Sequence, residues 1–141
     1  DYKWCQFGDH GLDLYSNGVM VSRKLLASNP KAVAGLVRAV NKGMIAIAKD
    51  QNAGMKAAVN YDNLINVEVE KRRLQYSFDK LIVSPEMKEI GVGDVKDDRM
   101  ARAIGIIVEG YQLARAPTPA ESFSREFLPP RTERELVYTA N

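Results

Sequence analysis

The sequence predicts a predominantly α-helical chain that contains one or two β-strands. Two observations favour this fold class. After residue 29, apolar residues recur at three- and four-residue spacing through most of the chain, which is the period of an amphipathic helix. Between Leu12 and Val21 they alternate instead with polar or small residues, which is the period of a strand.

The predicted strand from Leu12 to Val21 is interrupted by Asn17-Gly18. This dipeptide is typical of a hairpin turn, and a bulge or bend within a strand that crosses between two lobes fits the short flanking arms equally well. Residues 2 to 7, YKWCQF, are a candidate partner strand. Because a lone strand leaves backbone groups unpaired along both edges, we expect an upstream segment of the same protein or a second copy to complete the sheet.

Helices are predicted downstream of this strand. Asn29 caps a helix that has Pro30 in its first turn and continues to about Lys49. Further helices are predicted over residues 52 to 60, from Asn66 to about Ile82, in a short turn after Ser84-Pro85, and from a cap at Asp94 or Asp97 to a stop at Pro117. The residues expected on buried faces are Val33, Leu36, Val37, Val40, Met44, Ile47, Val67, Leu74, Phe78, Leu81, Met100, Ile104, Ile107 and Tyr111.

The bulk composition excludes several classes of function. The 141 residues are enough for one domain with a core, and 20 basic against 18 acidic residues give a net charge of +2 with no basic stripe for nucleic acid. The longest apolar runs are too short to cross a membrane. Cys5 and His10 are the only residues of their types, so neither an internal disulfide nor a Cys/His zinc set is available, and no metal or cofactor is expected. The start at Asp1 indicates a removed leader or an origin inside a longer gene product.

Few residues have the character of a chemical site. Trp4, Tyr15 and Asn17 combine aromatic faces with an amide, which suits a planar polar ligand, although aromatic residues are also ordinary core residues. Asp9 and His10 are adjacent, and on an extended segment they point to opposite faces, so the pair is poorly placed for acid–base catalysis. The GVGD stretch at 91 to 94 is interpreted as a turn, and VEVEKRRLQ at 67 to 75 as a solvated helix face.

The order of these features resembles a known family. The stretch FGDHGLDLYSNGVMVSRKLLASNPKAVAGLVRAVNKGMIAIAKD is similar to the region after the second lobe of bacterial ABC-transporter solute-binding proteins, in the group for nitrate, sulfonates, taurine and thiamine-pyrimidine precursors. FSREFLPPRTER resembles the closing segment of the same group, whereas His10 stands where an aromatic residue is common. The matching motif positions are Asp9, Gly11, Leu12, Asp13, Tyr15, Asn17, Asn29, Pro30, Arg38 and Ala39.

The resemblance implies a type II periplasmic-binding-protein-like α/β fold for a longer protein. Residues 1–22 would form the region of the inter-lobe crossing strand, and residues 23–141 the helical C-terminal part of the first lobe, together one partial domain. A small polar or heteroaromatic ligand, such as a pyrimidine precursor of thiamine, would bind between the lobes, and the closed protein would deliver it to a membrane permease. Asp9, Tyr15 and Asn17 would contact this ligand as motif positions, with His10 and Trp4 as neighbours. The location implied is periplasmic or lipid-anchored outside the cytoplasm.

Two other functions remain open beside this transport role without catalysis. One is a free-standing helical protein-interaction module. The other is an enzyme like the eukaryotic pyrimidine-precursor synthases that the same group resembles. Their reactive positions correspond to a portion outside this chain, and no matching cysteine-rich motif is present. Since part of a two-lobed protein exposes apolar surface, we also expect self-association of the fragment.

Overall fold

The computed structural model describes residue 3 and residues 5–138. The structure is 63% helical, and no β-strand occurs among the residues it describes, which confirms a predominantly helical chain. The chain divides into two compact units. One unit combines the described part of Asp1–Met20 with Val95–Glu126, and the other combines Val21–Asp94 with the described part of Phe127–Asn141.

The larger unit contains five α-helices, a π-helix and a 3-10 helix among its described residues. Five of the α-helix N-termini follow one chemical pattern, because a Ser, Asn or Asp side chain accepts the backbone N–H three residues further on. These caps are Ser22, Asn29, Asp50, Asn66 and Ser84. The elements are α1 (Arg23–Ser28), α2 (Pro30–Lys49), α3 (Gln51–Tyr61), α4 (Val67–Ser77), a π-helix (Phe78–Ile82), α5 (Pro85–Ile90) and a 3-10 helix (Arg131–Arg134).

The buried stripe of α2 is rotated from the one the sequence predicts. Val33 is buried as expected, whereas Leu36 is 46% and Val40 43% exposed. Asn41 takes the buried position instead, with only 4% of its surface exposed. Its amide Nδ2 donates to the Val37 carbonyl at 2.9 Å, and its Oδ1 has no hydrogen-bond partner among the described residues.

The helix predicted from Asn66 to Ile82 changes its winding near its end. The Val83 N–H donates to the Phe78 carbonyl at 3.0 Å, the five-residue hydrogen bond of a π-helix. Phe78 is 1% exposed, as predicted, and its ring stacks on Tyr138 with centroids 5.0 Å apart. Leu81, predicted to be buried, is 62% exposed. The wider π turn rotates Leu81 away from the face that Phe78 buries.

A buried arginine joins the C-terminal segment to the loop after α5. Arg134, 6% exposed, donates to the carbonyls of Pro129, Ile90 and Val92 at 2.8, 3.0 and 3.1 Å. Its Nη2 also lies 3.4 Å from the Asp94 carboxylate. These contacts give the buried guanidinium acceptors for its N–H groups and an opposite charge. They also give donors to loop carbonyls that lack partners within a helix. The GVGD stretch is the loop that the sequence predicts.

Gly91 provides a direct test of this loop. Its φ of 88° and ψ of 164° lie in a region that only glycine occupies readily, and a Cβ there would lie 3.0 Å from Arg131 Cδ and 3.1 Å from Arg134 Nη1. We expect Gly91→Ala to lower the free energy of unfolding by about 1–3 kcal/mol in urea titrations. Gly43→Ala is the matched control. A Cβ at Gly43, inside α2, meets no atom within 4 Å, so that change should stabilise by about 0.5–1 kcal/mol.

The smaller unit contains α6 (Asp97–Gly110), α7 (Pro119–Ser122) and a 3-10 helix (Phe7–His10). Asp97 lies in the first turn of α6 rather than at its cap, which is Lys96. In α7, Thr118 and Glu121 form a reciprocal capping box. The Thr118 backbone hydrogen bond, reinforced by Arg115, holds the pKa of Glu121 below its ordinary value. The Arg102 hydrogen bond does the same for the pKa of Asp98.

The strand predicted from Leu12 to Val21 is not formed in the structure. A strand is defined by a hydrogen-bonded neighbour, and no described segment lies alongside these residues as a partner strand. Within the candidate partner at residues 2 to 7, Tyr2 and Trp4 lie outside the described residues, and Phe7 begins a 3-10 helix. The alternating pattern from Leu12 to Val21 therefore does not correspond to a strand in the described structure.

Candidate functional site

Arg99, in α6, binds the candidate binding segment, which is the run from Asp9 to Asn17. Its Nη2 donates to the Asp13 carboxylate at 2.6 Å and lies 3.5 Å from the Leu14 carbonyl. The Arg99 side chain is 21% exposed and that of Asp13 is 64% exposed. Because the arginine end of this pair is largely shielded, the contact holds the segment against the helix more firmly than a pair exposed at both ends would.

Tyr15 makes two contacts with the same helix. Its hydroxyl accepts the Lys96 backbone N–H at 2.7 Å, and Lys96 is the N-cap residue of α6, which has no side-chain cap. The guanidinium of Arg99 lies 4.2 Å above the centroid of the Tyr15 ring, at cation–π distance. Tyr15 is therefore an anchoring residue in this structure: its phenol oxygen and one ring face are both engaged within the chain.

Arg125 secures the start of α6 from another part of the chain. Its Nη2 donates to the Val95 carbonyl at 2.5 Å and to the Asp97 carboxylate at 2.7 Å. Arg125 also lies 5.8 Å from the Phe123 ring. Arg125 and Tyr15 therefore both bind the residues just before α6. These two long-range contacts fix the position of the helix start that the candidate binding segment contacts.

The five predicted site residues are placed differently from one another. Asp9 and His10 belong to the 3-10 helix Phe7–His10 and are exposed. Asn17 is exposed as well, and Tyr15 is half-buried against α6. Trp4 lies outside the described residues. Among those described, no hydrogen bond or ion pair joins Asp9, His10 and Asn17, so the polar groups are displayed along one segment rather than gathered into a pocket.

No protein-family model, curated protein or solved structure matches this chain. The site is therefore interpreted from its own geometry. Over the described residues, no group of three or more His, Cys, Asp and Glu side chains is placed to hold a metal ion. No described helix is both long enough and apolar enough to span a bilayer.

A shallow cavity of about 250 Å³ lies in the larger unit, where α3 meets α4. Its wall combines apolar side chains with Glu70 and Arg73, which pair with each other at 2.8 Å. Because the two charged side chains neutralise each other, the cavity offers fewer unpaired polar groups to a ligand than the run from Asp9 to Asn17 does. Its other lining residues are Met55, Ala58, Ile65, Leu74 and Ser77.

Sequence reasoning missed the residues that position the candidate segment. Arg99 and Arg125 are separated from their partners by 86 and 28 residues in sequence, and neither belongs to a local motif. Tyr15 was identified, but as a ligand contact rather than as an anchor. No local pattern in the sequence indicated these contacts, because the cap was predicted at Asp94 or Asp97 and the structure is what places it at Lys96.

Removing the Arg99 guanidinium should release the segment. We expect Arg99→Met to raise the hydrogen-exchange rate of the Lys96 amide roughly tenfold, which corresponds to the loss of about 1.4 kcal/mol of local stability. Proteolysis between residues 13 and 21 should rise in parallel. Arg102→Met is the control on the same helix, since the ion pair of Arg102 among the described residues is with exposed Asp98 and not with the segment. Equal exchange rates in the two variants would contradict the anchoring role of Arg99.

Proposed function

We propose that this chain is the later part of the solute-binding component of an ABC importer, which captures a small polar or heteroaromatic molecule and delivers it to a membrane permease. The observation that carries the proposal is the run from Asp9 to Asn17. Its residue types and order resemble the motif of the nitrate, sulfonate, taurine and thiamine-pyrimidine-precursor group. Two of its members, Asp13 and Tyr15, are fastened to α6, while Asp9 and Asn17 stay exposed.

This arrangement suits a binding site physically. A binding residue is effective when its backbone is already held, because less conformational entropy is then lost on binding. Asn17 follows the anchored Tyr15 by two residues, and its amide offers both donors and an acceptor to a planar polar molecule. Asp9 adds an acceptor and His10 an imidazole that can donate or accept. These groups recognise polar ring edges better than apolar surfaces.

The position of the run along the chain also supports the proposal. By the resemblance, residues 1–22 form the region in which the chain crosses between the two lobes, and the run from Asp9 to Asn17 lies within it. In a two-lobed binding protein, ligand contacts concentrate where the chain crosses between lobes, and hinge closure there couples ligand binding to the surface presented to the permease. The proposed location is the periplasm or the outer face of the cytoplasmic membrane, where such a component works.

The first experiment is an intact mass of the native gene product, which shows whether residues precede Asp1. A ligand panel is then applied to that product by thermal shift, with nitrate, taurine, an alkylsulfonate and an aminopyrimidine as probes. A true ligand at about 100 times its Kd stabilises by about 2.7 kcal/mol. Asn17→Ala should abolish the shift, whereas Asn60→Ala, an exposed asparagine in α3, should retain it. A native product that begins at Asp1 and responds to no probe would refute the proposal.

A helical interaction module is the second candidate. It is favoured by the exposed apolar residues of α1 and α2, namely Leu25, Leu26, Leu36 and Val40, which are 36–46% exposed. The gene neighbourhood separates the two functions. Adjacent genes for a permease and an ATPase would favour transport, and an open reading frame that begins near Asp1 would favour the module.

A further inference from the structure

Charge is unevenly distributed along this chain. Residues 21–49, which contain α1 and α2, carry six basic residues and no acidic one, and the first carboxylate after them belongs to Asp50. Removing these six from the 20 basic residues of the whole chain leaves 14 basic against 18 acidic residues, so the remainder is net acidic. The balanced total therefore conceals one strongly basic helix pair. Its basic residues are Arg23, Lys24, Lys31, Arg38, Lys42 and Lys49.

These six cations have no anionic partner among the described residues. All six are exposed, and no ion pair in the part of the chain that the structure describes includes any of them. Elsewhere arginines pair with carboxylates, as Arg73 does with Glu70 and Arg102 with Asp98. A concentration of positive charge that the protein itself does not neutralise attracts an anionic surface.

The exposed face of α2 has a basic edge and an apolar edge. With about 3.6 residues per turn, the four basic side chains of α2 lie within roughly 40° of one another around the helix axis. Leu36 and Val40 lie on the other edge and are 46% and 43% exposed. Exposed small residues form the strip between the two edges: Ala32, Gly35, Ala39, Gly43 and Ala46. The helix therefore presents a smooth apolar strip beside a row of positive charge.

This face suits an anionic lipid surface better than a protein or a nucleic acid. Every exposed side chain of α2 is either basic or apolar, and none is aromatic or a neutral hydrogen-bonding group. Protein interfaces, by contrast, are enriched in aromatic anchors and carry many hydrogen bonds. A nucleic-acid backbone offers no apolar surface to Leu36 and Val40. A bilayer offers both anionic headgroups for the cations and acyl chains for the apolar strip.

Helix α1 extends the same surface. It packs against α2 in the larger unit, and it adds two basic residues, Arg23 and Lys24, at its first turn. It also adds two apolar side chains, Leu25 and Leu26, which are 40% and 36% exposed. Basic side chains beside an exposed apolar strip are the arrangement with which helices lie in a membrane interface, because long cationic side chains reach the headgroups while the apolar groups enter the layer below.

We infer that α1 and α2 form a docking surface for an anionic phospholipid bilayer, with α2 lying in the plane of the interface. This inference does not depend on the proposed ligand-binding function. The test uses the 141-residue chain and vesicles of phosphatidylcholine that contain about 30% phosphatidylglycerol. We expect the chain to sediment with these vesicles but not with pure phosphatidylcholine, and to be released as salt screens the attraction. Absence of binding to the anionic vesicles at low ionic strength would overturn the inference.

Two sets of four substitutions identify the surface. Glutamine in place of the four basic residues of α2 preserves helix propensity and should weaken vesicle binding at least about a hundredfold, since each such residue contributes about fivefold near an anionic surface. The control set removes the same charge from exposed lysines outside α1 and α2 and should weaken binding less than about fivefold. Equal losses from the two sets would overturn the inference. The α2 set is Lys31→Gln, Arg38→Gln, Lys42→Gln and Lys49→Gln, and the control set is Lys56→Gln, Lys71→Gln, Lys80→Gln and Lys88→Gln.

A third variant distinguishes a lipid surface from other polyanions. Leu36→Ala combined with Val40→Ala removes apolar surface at two half-exposed positions and should weaken vesicle binding about tenfold. Its binding to heparin, a soluble polyanion without an apolar surface, should equal that of the unmodified chain. Circular dichroism shows whether each variant keeps its helices. An unchanged vesicle affinity in a folded double variant, or tighter binding of the unmodified chain to heparin than to the vesicles, would overturn the inference.

Discussion

Arg134→Met should lower the free energy of unfolding of the larger unit by about 3–5 kcal/mol, the usual effect of removing one partner from a buried charged network. Methionine keeps most of the side-chain volume, so the loss is electrostatic rather than a cavity. Three carbonyls and the Asp94 carboxylate lose the Arg134 guanidinium as a donor, and the side chain of Asp94 is only 13% exposed. Urea titrations followed by circular dichroism measure the change.

Two further variants separate this effect from a general loss of positive charge. Arg115→Met removes an arginine that is 70% exposed and paired with Glu121, and should change stability by less than about 1 kcal/mol. Asp94→Asn retains an acceptor for Arg134 but removes the charge, so its effect should fall between the other two. If Arg134→Met were no more destabilising than Arg115→Met, the C-terminal segment would not be held by this guanidinium.

Phe78→Ala should also destabilise the larger unit by about 3–5 kcal/mol, because it removes a fully buried ring and leaves a cavity. Phe78 is 1% exposed, and it is the point at which α4 changes to a π-helix. The ring also supports Tyr138, which stacks on it at 5.0 Å. The near-ultraviolet signal of the tyrosines should therefore weaken in the folded variant, and urea titration gives the stability.

The matched control is Tyr138→Phe, which keeps the stacked ring and removes the hydroxyl with its hydrogen bond to Asp79. The Tyr138 hydroxyl donates to Asp79 at 2.7 Å, and this bond raises the pKa of Tyr138 above its ordinary value. Since the bond is exposed, its loss should lower stability by less than about 1 kcal/mol. A larger effect from Tyr138→Phe than from Phe78→Ala would show that the polar contact, and not the buried ring, holds the C-terminal segment.

Local sequence signals predicted the starts of several helices, but not α1 or α7, and the helix expected to continue to Pro117 ends at Gly110. Asn29-Pro30 and Ser84-Pro85 start helices as expected, because a capping side chain and a proline act on amides within three residues of themselves. The faces of the helices were less predictable. Leu36 and Val40 satisfy the apolar period but are exposed, and Asn41 is buried in their place. The apolar period locates the buried face of a helix only approximately. The elements that pack against the helix determine which residues near that face are buried.

The candidate site was predicted in part. The run from Asp9 to Asn17 was selected by its residue types and order, and Tyr15 within it has a definite structural role. Arg99 was not anticipated, because an arginine in the first turn of a helix is ordinary until its distant partner is known. The strand predicted from Leu12 to Val21 overlaps this run and is not formed, because no described segment supplies its hydrogen-bond partner.

The sequence by itself determined where the main helices begin, that one segment favours an extended backbone, and that no internal disulfide or Cys/His zinc set is available. These properties depend on interactions between residues a few positions apart. Only the tertiary structure decided that Arg134 lies buried among the carbonyls around residues 90 and 129, and that Arg99 holds Asp13. In the sequence, nothing distinguishes such an arginine from one on the surface. It stabilises the fold only when folding brings hydrogen-bond acceptors around its guanidinium.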